Sequence, residues 1–319
     1  MRCARRARVL VDGASRSDSY SRCVPYASVN DVELFYETHG DPSDPAVVLI
    51  AGLGVQMIDW PDYFIEPIVA SGHLVVQFDN RDIGLSTQFP AGNSDITAVM
   101  EAVLEDKDAG VAYTLTDMAA DTVGLLDVLG IETFHCIGVS MGGMIAQQIA
   151  VSYPERVLTL TSIMSTVGPE VGAPTAEAVE GITKPVTTEV RKERIEQGIA
   201  TARIWASPDH YDEDRLRRMF ERSWDRIGGD QSKNGARQLC AIIASPSRAD
   251  ALAKLTVPTL VVHGTSDPLI TPAGGDRTAE VVPHARLLKI DGMGHDLVPA
   301  FVPTILAAIT ELVASSQAG

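Results

Sequence analysis

The chain has 319 residues, of which 45% are hydrophobic and 21% are charged, a composition typical of a soluble globular protein. Its formal net charge of −16 argues against nucleic acid or an anionic lipid surface as a partner. No apolar run is long enough to span a membrane, and the four cysteines lack metal-binding spacing, which favours a reducing compartment such as the cytoplasm. Residues 1–24 lack the long apolar run of a secretion signal, and we expect a poorly ordered tail there.

From residue 25 onwards, short β-rich runs alternate with helical patterns. A tight turn at 29–32 joins two opening strands, and the apolar runs 46–50 and 74–78 flank a helical stretch. Thr114 and Asp117 have the spacing of a capping box at the start of a further helix. This alternation predicts an α/β domain with a mostly parallel sheet, made of residues 25–168 and 251–319. Its later strands are predicted at 134–139, 158–164, 259–263 and 285–290.

The segment 169–250 has helical rather than strand patterning, and we predict a helical cap inserted into the α/β domain. Residues 169–256 hold 14 acidic and 14 basic side chains, so the whole negative excess lies outside that range. Core packing is the simplest explanation of one apolar stripe here; alternatively, Phe220 and Trp224 line an apolar pocket. The stripe consists of Leu216, Phe220, Trp224 and Ile227.

The pentapeptide 138–142, Gly-Val-Ser-Met-Gly, places Ser140 between a predicted strand and a predicted helix. This is the pattern of a nucleophile elbow, in which small neighbours allow a strained turn that exposes the serine hydroxyl. A serine hydroxyl is a weak nucleophile, so it needs a neighbouring base and an acid that orients the base. Nucleophile elbows are followed along the chain by the acid and then by the histidine.

His295 lies in a glycine-rich loop after the last strand, and we assign it as the base. His263 is the main alternative, but it precedes every late acidic candidate. Asp267 follows the strand at 259–263, at the same sheet edge as the elbow, and is our candidate acid. The alternative acids are Asp276, Asp291 and Asp296, each of which is also compatible with a solvated surface position.

A serine nucleophile also needs donors for the oxyanion that forms when it attacks a carbonyl. The backbone N–H of Met141, directly after the serine, is one candidate. The loop Ala51-Gly52-Leu53-Gly54 follows the early apolar strand, and we expect the second donor to be the N–H of Leu53, with Gly54 as the alternative. The polar turn 78–86 is assigned a structural role, in which Arg81 pairs with one of the turn's own aspartates.

With these residues in place, residues 25–315 resemble the α/β-hydrolase superfamily. Trp60-Pro61-Asp62, the turn 78–86, the elbow and Gly292–Asp296 together resemble the serine esterase branch that includes aclacinomycin methylesterases and bacterial lipase/esterase G-type proteins. The resemblance implies an eight-stranded sheet, a lid and a triad of Ser140, Asp267 and His295. Ala51 and Val139 stand where many relatives have histidine, so these two positions favour no particular subfamily.

The sequence therefore predicts a serine hydrolase of carboxylic esters, acting as a monomer or homodimer on a small ester with an apolar acyl or alcohol part. The mechanism needs no cofactor and no metal. Thioester, lactone or carbon–carbon cleavage and perhydrolysis by the same triad remain alternatives. A receptor or regulator that binds its ligand in the same fold is the alternative outside enzymes.

Overall fold

A computed structural model describes residues 25–183, 188 and 190–316, and the predicted tail at 1–24 lies outside this range. Within these residues, eight strands form one sheet in the order β1-β2-β4-β3-β5-β6-β7-β8, which confirms the predicted α/β architecture. The strands are β1 Tyr26–Val29, β2 Val32–His39, β3 Ala46–Ile50, β4 Leu74–Phe78, β5 Phe134–Val139, β6 Val157–Ile163, β7 Thr259–Gly264 and β8 Arg286–Ile290.

The sheet is antiparallel at its first edge and parallel elsewhere. β1 pairs antiparallel with β2, and β2 pairs antiparallel with β4, while every later pairing is parallel. The hairpin turn has Asn30 at φ 44° and Asp31 at φ 66°, two left-handed residues that match the twist of the strands. The parallel strands therefore direct their carboxyl ends to one edge of the sheet.

Helices cover both faces of the sheet. α1 and α11 contribute to the core on one face, and α3 and α4 on the other. None of the described helices is both long enough and apolar enough to cross a membrane. The helices are α1 Asp62–Ala70, α2 Ile96–Leu104, α3 Leu115–Val128, α4 Met141–Ser152, α5 Ala176–Thr183, α6 Arg191–Trp205, α7 Glu213–Ile227, α8 Ser232–Ala244, α9 Ala249–Leu252, α10 Pro272–Val281 and α11 Val302–Ser316.

The start of α3 has the capping box that its sequence predicts. The backbone N–H of Thr114 donates to the Asp117 carboxylate at 2.7 Å, while the Thr114 side chain receives the N–H of residue 117. Two otherwise unpaired backbone donors of the first helical turn are satisfied in this way. Gly130, at φ 73°, follows the helix in the left-handed conformation that ends many helices.

All the described elements between β6 and β7 are helical. α6 and α7 pack on each other through a small apolar cluster of their own, made of Ile195, Ile199, Ala202 and Leu216. α8 contacts α2. These helices occupy the segment for which we predict a cap, and its separation as a domain stays a prediction.

The predicted pairing of Arg81 within its own turn is wrong. Arg81 instead forms a buried two-point ion pair with Asp121 on α3, at 2.6 and 2.7 Å. Asp79 pairs with Arg226 at 2.7 Å and Asp82 with Arg237 at 2.8 Å, so two arginines from α7 and α8 neutralise the turn's aspartates. Neighbouring charges in the sequence suggested a local pair, but helices that are distant along the chain pack on this turn.

Candidate active site

Ser140 lies between β5 and α4 with φ 56° and ψ −120°, a conformation that is strained for a residue with a side chain. Glycines stand two residues before and two residues after it, because the chain passes close to other backbone at both positions. A Cβ on Gly138 would lie 2.0 Å from the carbonyl oxygen of Gly142, and one on Gly142 would lie 2.0 Å from that of Ile50. The strand, the turn and the helix therefore form together the elbow that the motif predicts.

His295 and Asp267 are hydrogen-bonded to each other in the loops after β8 and β7. The distance from His295 Nδ1 to Asp267 Oδ2 is 2.7 Å, and the aspartate side chain is fully buried. Since a carboxylate only accepts, Nδ1 carries a hydrogen, and in the neutral ring Nε2 then keeps its lone pair. The second oxygen of Asp267 accepts the backbone N–H groups of Leu269 and Ile270, at 2.9 and 3.0 Å, so this carboxylate is held firmly.

The alternative histidine has a different partner. His263 Nε2 donates to the carbonyl oxygen of Ile270 at 2.8 Å and lies 3.6 Å from Asp267, beyond hydrogen-bond range. Burial lowers the pKa of His263, which favours the neutral form of its ring. His263 thus packs under the acid rather than replacing His295.

The alternative acids also have other partners. Asp276 pairs with Lys289 at 2.9 Å, and Asp291 accepts from Thr265 at 3.0 Å. Asp296 accepts the hydroxyl and the backbone N–H of Ser207. Among the predicted carboxylates, the structure brings Asp267 to the imidazole of His295.

The loop that carries His295 is bound to the last residue of α6 and to the segment that follows this helix. The backbone N–H of His295 donates to the carbonyl oxygen of Trp205 at 2.7 Å, and the N–H of Gly294 donates to Ser207 Oγ at 2.9 Å. Ser207 is fully buried. No sequence motif pointed to Ser207, because its importance depends on a contact between segments about 90 residues apart.

The loop after β3 lies beside the serine. A Cβ on Gly52 would be 3.4 Å from Cβ of Ser140, which places the backbone of the loop next to the nucleophile. The N–H of Gly54 already donates to Gln238 Oε1 at 2.9 Å, whereas no described residue accepts the N–H of Leu53. Met141 is the first residue of α4, where backbone N–H groups have no partner within the helix.

The two predicted pocket residues lie on α7. Phe220 packs against α6, where a Cβ on Gly198 would come within 3.0 Å of its ring, so its contacts fit the core-packing interpretation. Trp224 is half-buried. A pocket role for these two side chains stays a prediction.

The site thus combines a strained serine, a histidine whose Nε2 has no hydrogen-bond partner among the described residues, and an aspartate that binds Nδ1 of the ring, an arrangement suited to nucleophilic catalysis. The three residues follow β5, β7 and β8, which end at the same sheet edge. Within residues 25–183, 188 and 190–316, no group of three or more His, Cys, Asp or Glu side chains is placed to hold a metal ion.

Sequence comparisons find enzymes that are similar to this chain over most of its length. The chain is 29% identical over 302 residues to rhodomycin D methylesterase DauP of Streptomyces sp. (strain C5), covering 88% of this chain and 94% of that protein. It is 26% identical over 268 residues to 3-oxoadipate enol-lactonase 2 of Acinetobacter baylyi, covering 82% and 85% of the two chains.

Among solved structures, the enol-lactonase from Burkholderia xenovorans LB400 superposes with a TM-score of 0.67 at 24% identity, over 90% of this chain and all of that one. At this identity the superposition concerns the fold alone. The family model for the alpha/beta hydrolase fold matches residues 45–299. This range includes the turn at Ser140 and the loops that carry Asp267 and His295. The chain therefore belongs to the alpha/beta hydrolase family.

Proposed function

We propose that this chain is a serine hydrolase that cleaves carboxylic esters through an acyl-enzyme on Ser140. The observation that carries the proposal is the 2.7 Å bond between His295 and the buried Asp267, at the sheet edge where the strained serine lies. Similarity to a methylesterase over most of both chains supports an ester as the substrate. The substrate class that fits is a small ester with an apolar acyl or alcohol part.

In the proposed mechanism, the Ser140 hydroxyl attacks the acyl carbon while His295 Nε2 takes its proton. Asp267 holds the imidazole in the required tautomer and stabilises the imidazolium that forms. His295 then returns the proton to the departing alcohol. Water attacks the acyl-enzyme by the same route in reverse, which releases the acid and restores the serine.

The oxyanion of each tetrahedral intermediate is assigned to the backbone N–H groups of Leu53 and Met141. Both follow from the position of the β3 loop beside Ser140 and from the start of α4. Gly54 is a weaker candidate because its N–H already donates to Gln238. Fixed donors of this kind commonly account for about 10²- to 10³-fold in kcat each.

The proposal is tested by labelling and turnover of the wild type, Ser140→Ala and a control, Ser152→Ala, whose exposed serine ends α4. We expect a fluorophosphonate probe to label the wild type and the control but not Ser140→Ala. The wild type and the control should likewise hydrolyse p-nitrophenyl butyrate, and Ser140→Ala should not. Full esterase activity in Ser140→Ala, or no ester turnover by the wild type, would disprove the proposal.

A lactone is the second candidate substrate, because an enol-lactonase is also similar over most of the chain. Comparing kcat/KM for aliphatic methyl esters, enol-lactones and acyl thioesters separates ester from lactone or thioester preference. A carbon–carbon hydrolase or a perhydrolase would instead be slow on all three classes. A ligand-binding protein without activity would leave Ser140 unlabelled by the fluorophosphonate.

A further inference from the structure

Gln238 on α8 connects the predicted cap to the loop beside the nucleophile. Its Oε1 accepts the backbone N–H of Gly54 at 2.9 Å, and its Nε2 donates to the carbonyl oxygen of Arg81 at 2.9 Å. The side chain is fully buried. A single amide from α8 therefore binds the loop after β3 and the turn after β4 simultaneously.

The same loop is also held at its other end. The Asn80 side-chain amide donates to the carbonyl oxygen of Ala51 at 3.1 Å, in a buried contact. The backbone on both sides of Leu53 is thus bonded to side chains from outside the loop. Gly52 lies against Ser140, so these bonds hold a stretch of backbone that contains the Leu53 N–H and runs beside the serine.

We propose that Gln238 is a positioning residue for the oxyanion hole. By holding the N–H of Gly54, it fixes the peptide that precedes Gly54 and keeps the Leu53 donor at the site of the developing charge. Catalysis then depends on the position of α8, the helix that carries Gln238. The sequence motif around Ser140 gives no sign of this dependence. This inference rests on the proposed esterase function. Gln238 would not touch the substrate and would act through the position of the Leu53 N–H.

The expected effect is on turnover more than on substrate binding. An oxyanion donor bonds most strongly in the transition state, so its displacement lowers kcat with little change in KM. A misplacement of about 1 Å at a reacting centre can cost about 10²-fold. We therefore expect loss of the Gln238 bonds to lower kcat by about 10- to 100-fold.

Gln231 is a matched control at the start of the same helix. Its side chain also makes two bonds to core backbone, accepting the N–H of Gly84 at 2.8 Å and donating to the carbonyl oxygen of Gly84 at 3.0 Å. It thus ties α8 to the turn after β4 without a bond to the loop 51–54. Gln231→Met removes a pair of amide hydrogen bonds of the same kind and leaves the bonds of the loop 51–54 in place.

The test compares wild type, Gln238→Met, Gln238→Glu and Gln231→Met, with kcat and KM measured on p-nitrophenyl butyrate and stability measured by urea unfolding. Glutamate keeps the acceptor for Gly54, so kcat should fall in the order wild type, Gln238→Glu, Gln238→Met. Stability should fall in a different order, with Gln238→Glu lowest, because a buried carboxylate is costlier than a thioether. Gln231→Met should keep kcat within about twofold, since it leaves the loop untouched.

A kcat that follows stability across the Gln238 variants, or equal kcat losses in Gln238→Met and Gln231→Met, would overturn the inference. Should Gln238→Met fail to fold, Gln238→Asn retains a polar amide and is compared with Gln231→Met by the same criterion. A wild type that hydrolyses no ester and is not labelled at Ser140 refutes the proposed function itself. An active wild type with indistinguishable variants refutes the positioning role alone.

Discussion

Asp267 differs from the other acidic candidates in what its two oxygens bind. One accepts His295 Nδ1, and the other accepts two backbone N–H groups of its own loop. The sequence favoured Asp267, because the acid of an elbow enzyme precedes the histidine and follows a strand, but Asp276 and Asp291 also precede His295. The bonds that hold it could not be predicted, since they depend on the exact path of residues 267–270.

Replacing Asp267 with asparagine should lower kcat by about 10⁴-fold, because an amide donor facing Nδ1 favours the wrong tautomer of His295. The KM for p-nitrophenyl butyrate should change little. Asp276→Asn is the control, since Asp276 is exposed and pairs with Lys289 away from the imidazole. Comparable kcat values for Asp267→Asn and Asp276→Asn would rule out Asp267 as the orienting acid.

His135 on β5 should make stability depend on pH. Burial, with a smaller contribution from nearby His73, lowers the pKa of His135 from 6.5 to about 4. Between these two values the unfolded chain is protonated at this histidine and the folded chain is not. The free energy of unfolding therefore decreases as pH falls from about 6.5 towards 4. Between pH 7 and pH 5 this single group should contribute a loss of about 2 kcal/mol.

This contribution is measured as a difference in urea unfolding between pH 7 and pH 5. His135→Asn places an amide near the position of the ring Nδ1, which contacts Thr159 at 2.8 Å, and should reduce the pH-dependent loss by about 2 kcal/mol. His284→Asn changes an exposed histidine with φ 61°, a conformation that asparagine tolerates, and should keep the wild-type pH dependence. An unchanged slope in His135→Asn would contradict the predicted shift.

At the scale of elements, a buried ion pair binds α7 to the turn after β4. Arg226 binds Asp79 at 2.7 Å, with the aspartate fully buried, and also donates to Gln56 at 2.7 Å. Asp79 accepts the N–H groups of Met57 and Leu85 as well. Burial raises the pKa of Asp79, and the charge of Arg226 opposes that rise.

Arg226→Ala should therefore destabilise the protein by about 3 kcal/mol or more, because it leaves a buried carboxylate without its partner. Arg218→Ala, which removes an exposed arginine of the same helix, should cost no more than about 0.5 kcal/mol. Both values come from urea unfolding at pH 7. Adding Asp79→Asn to Arg226→Ala should recover part of the lost stability, because it removes the unpaired buried charge. Equal stability of Arg226→Ala and Arg218→Ala would contradict a stabilising role for the buried ion pair.

The elements themselves were largely predictable from the sequence. Apolar runs gave β3, β4 and β5 with their observed bounds, and the Thr114–Asp117 spacing gave the start of α3. These signals are local, since period and capping act over a few residues. The partner of Arg81 could not be predicted in that way, because Asp121 lies 40 residues further along the chain and meets the turn only through the tertiary fold.

At the scale of the whole molecule, charge is unevenly distributed along the chain, and ion pairs connect the neutral part to the acidic part. The helical segment balances its own charges, while the rest of the chain is strongly acidic. Three arginines of this segment pair with aspartates outside it: Arg222 with Asp59, Arg226 with Asp79 and Arg237 with Asp82. Composition predicted two different parts, but only the folded chain shows which acids receive the arginines.

The bonds from Trp205 and Ser207 to the His295 loop, together with those of Gln238, have a consequence for protein engineering. Exchanging residues 169–250 between relatives is an obvious route to new selectivity, because that segment is separate in sequence from the triad. Such a chimaera would also replace the groups that hold the loop of His295 and the loop 51–54. Grafts that retain Ser207 and Gln238 should therefore preserve turnover, whereas wholesale transplants would confuse lost activity with altered preference.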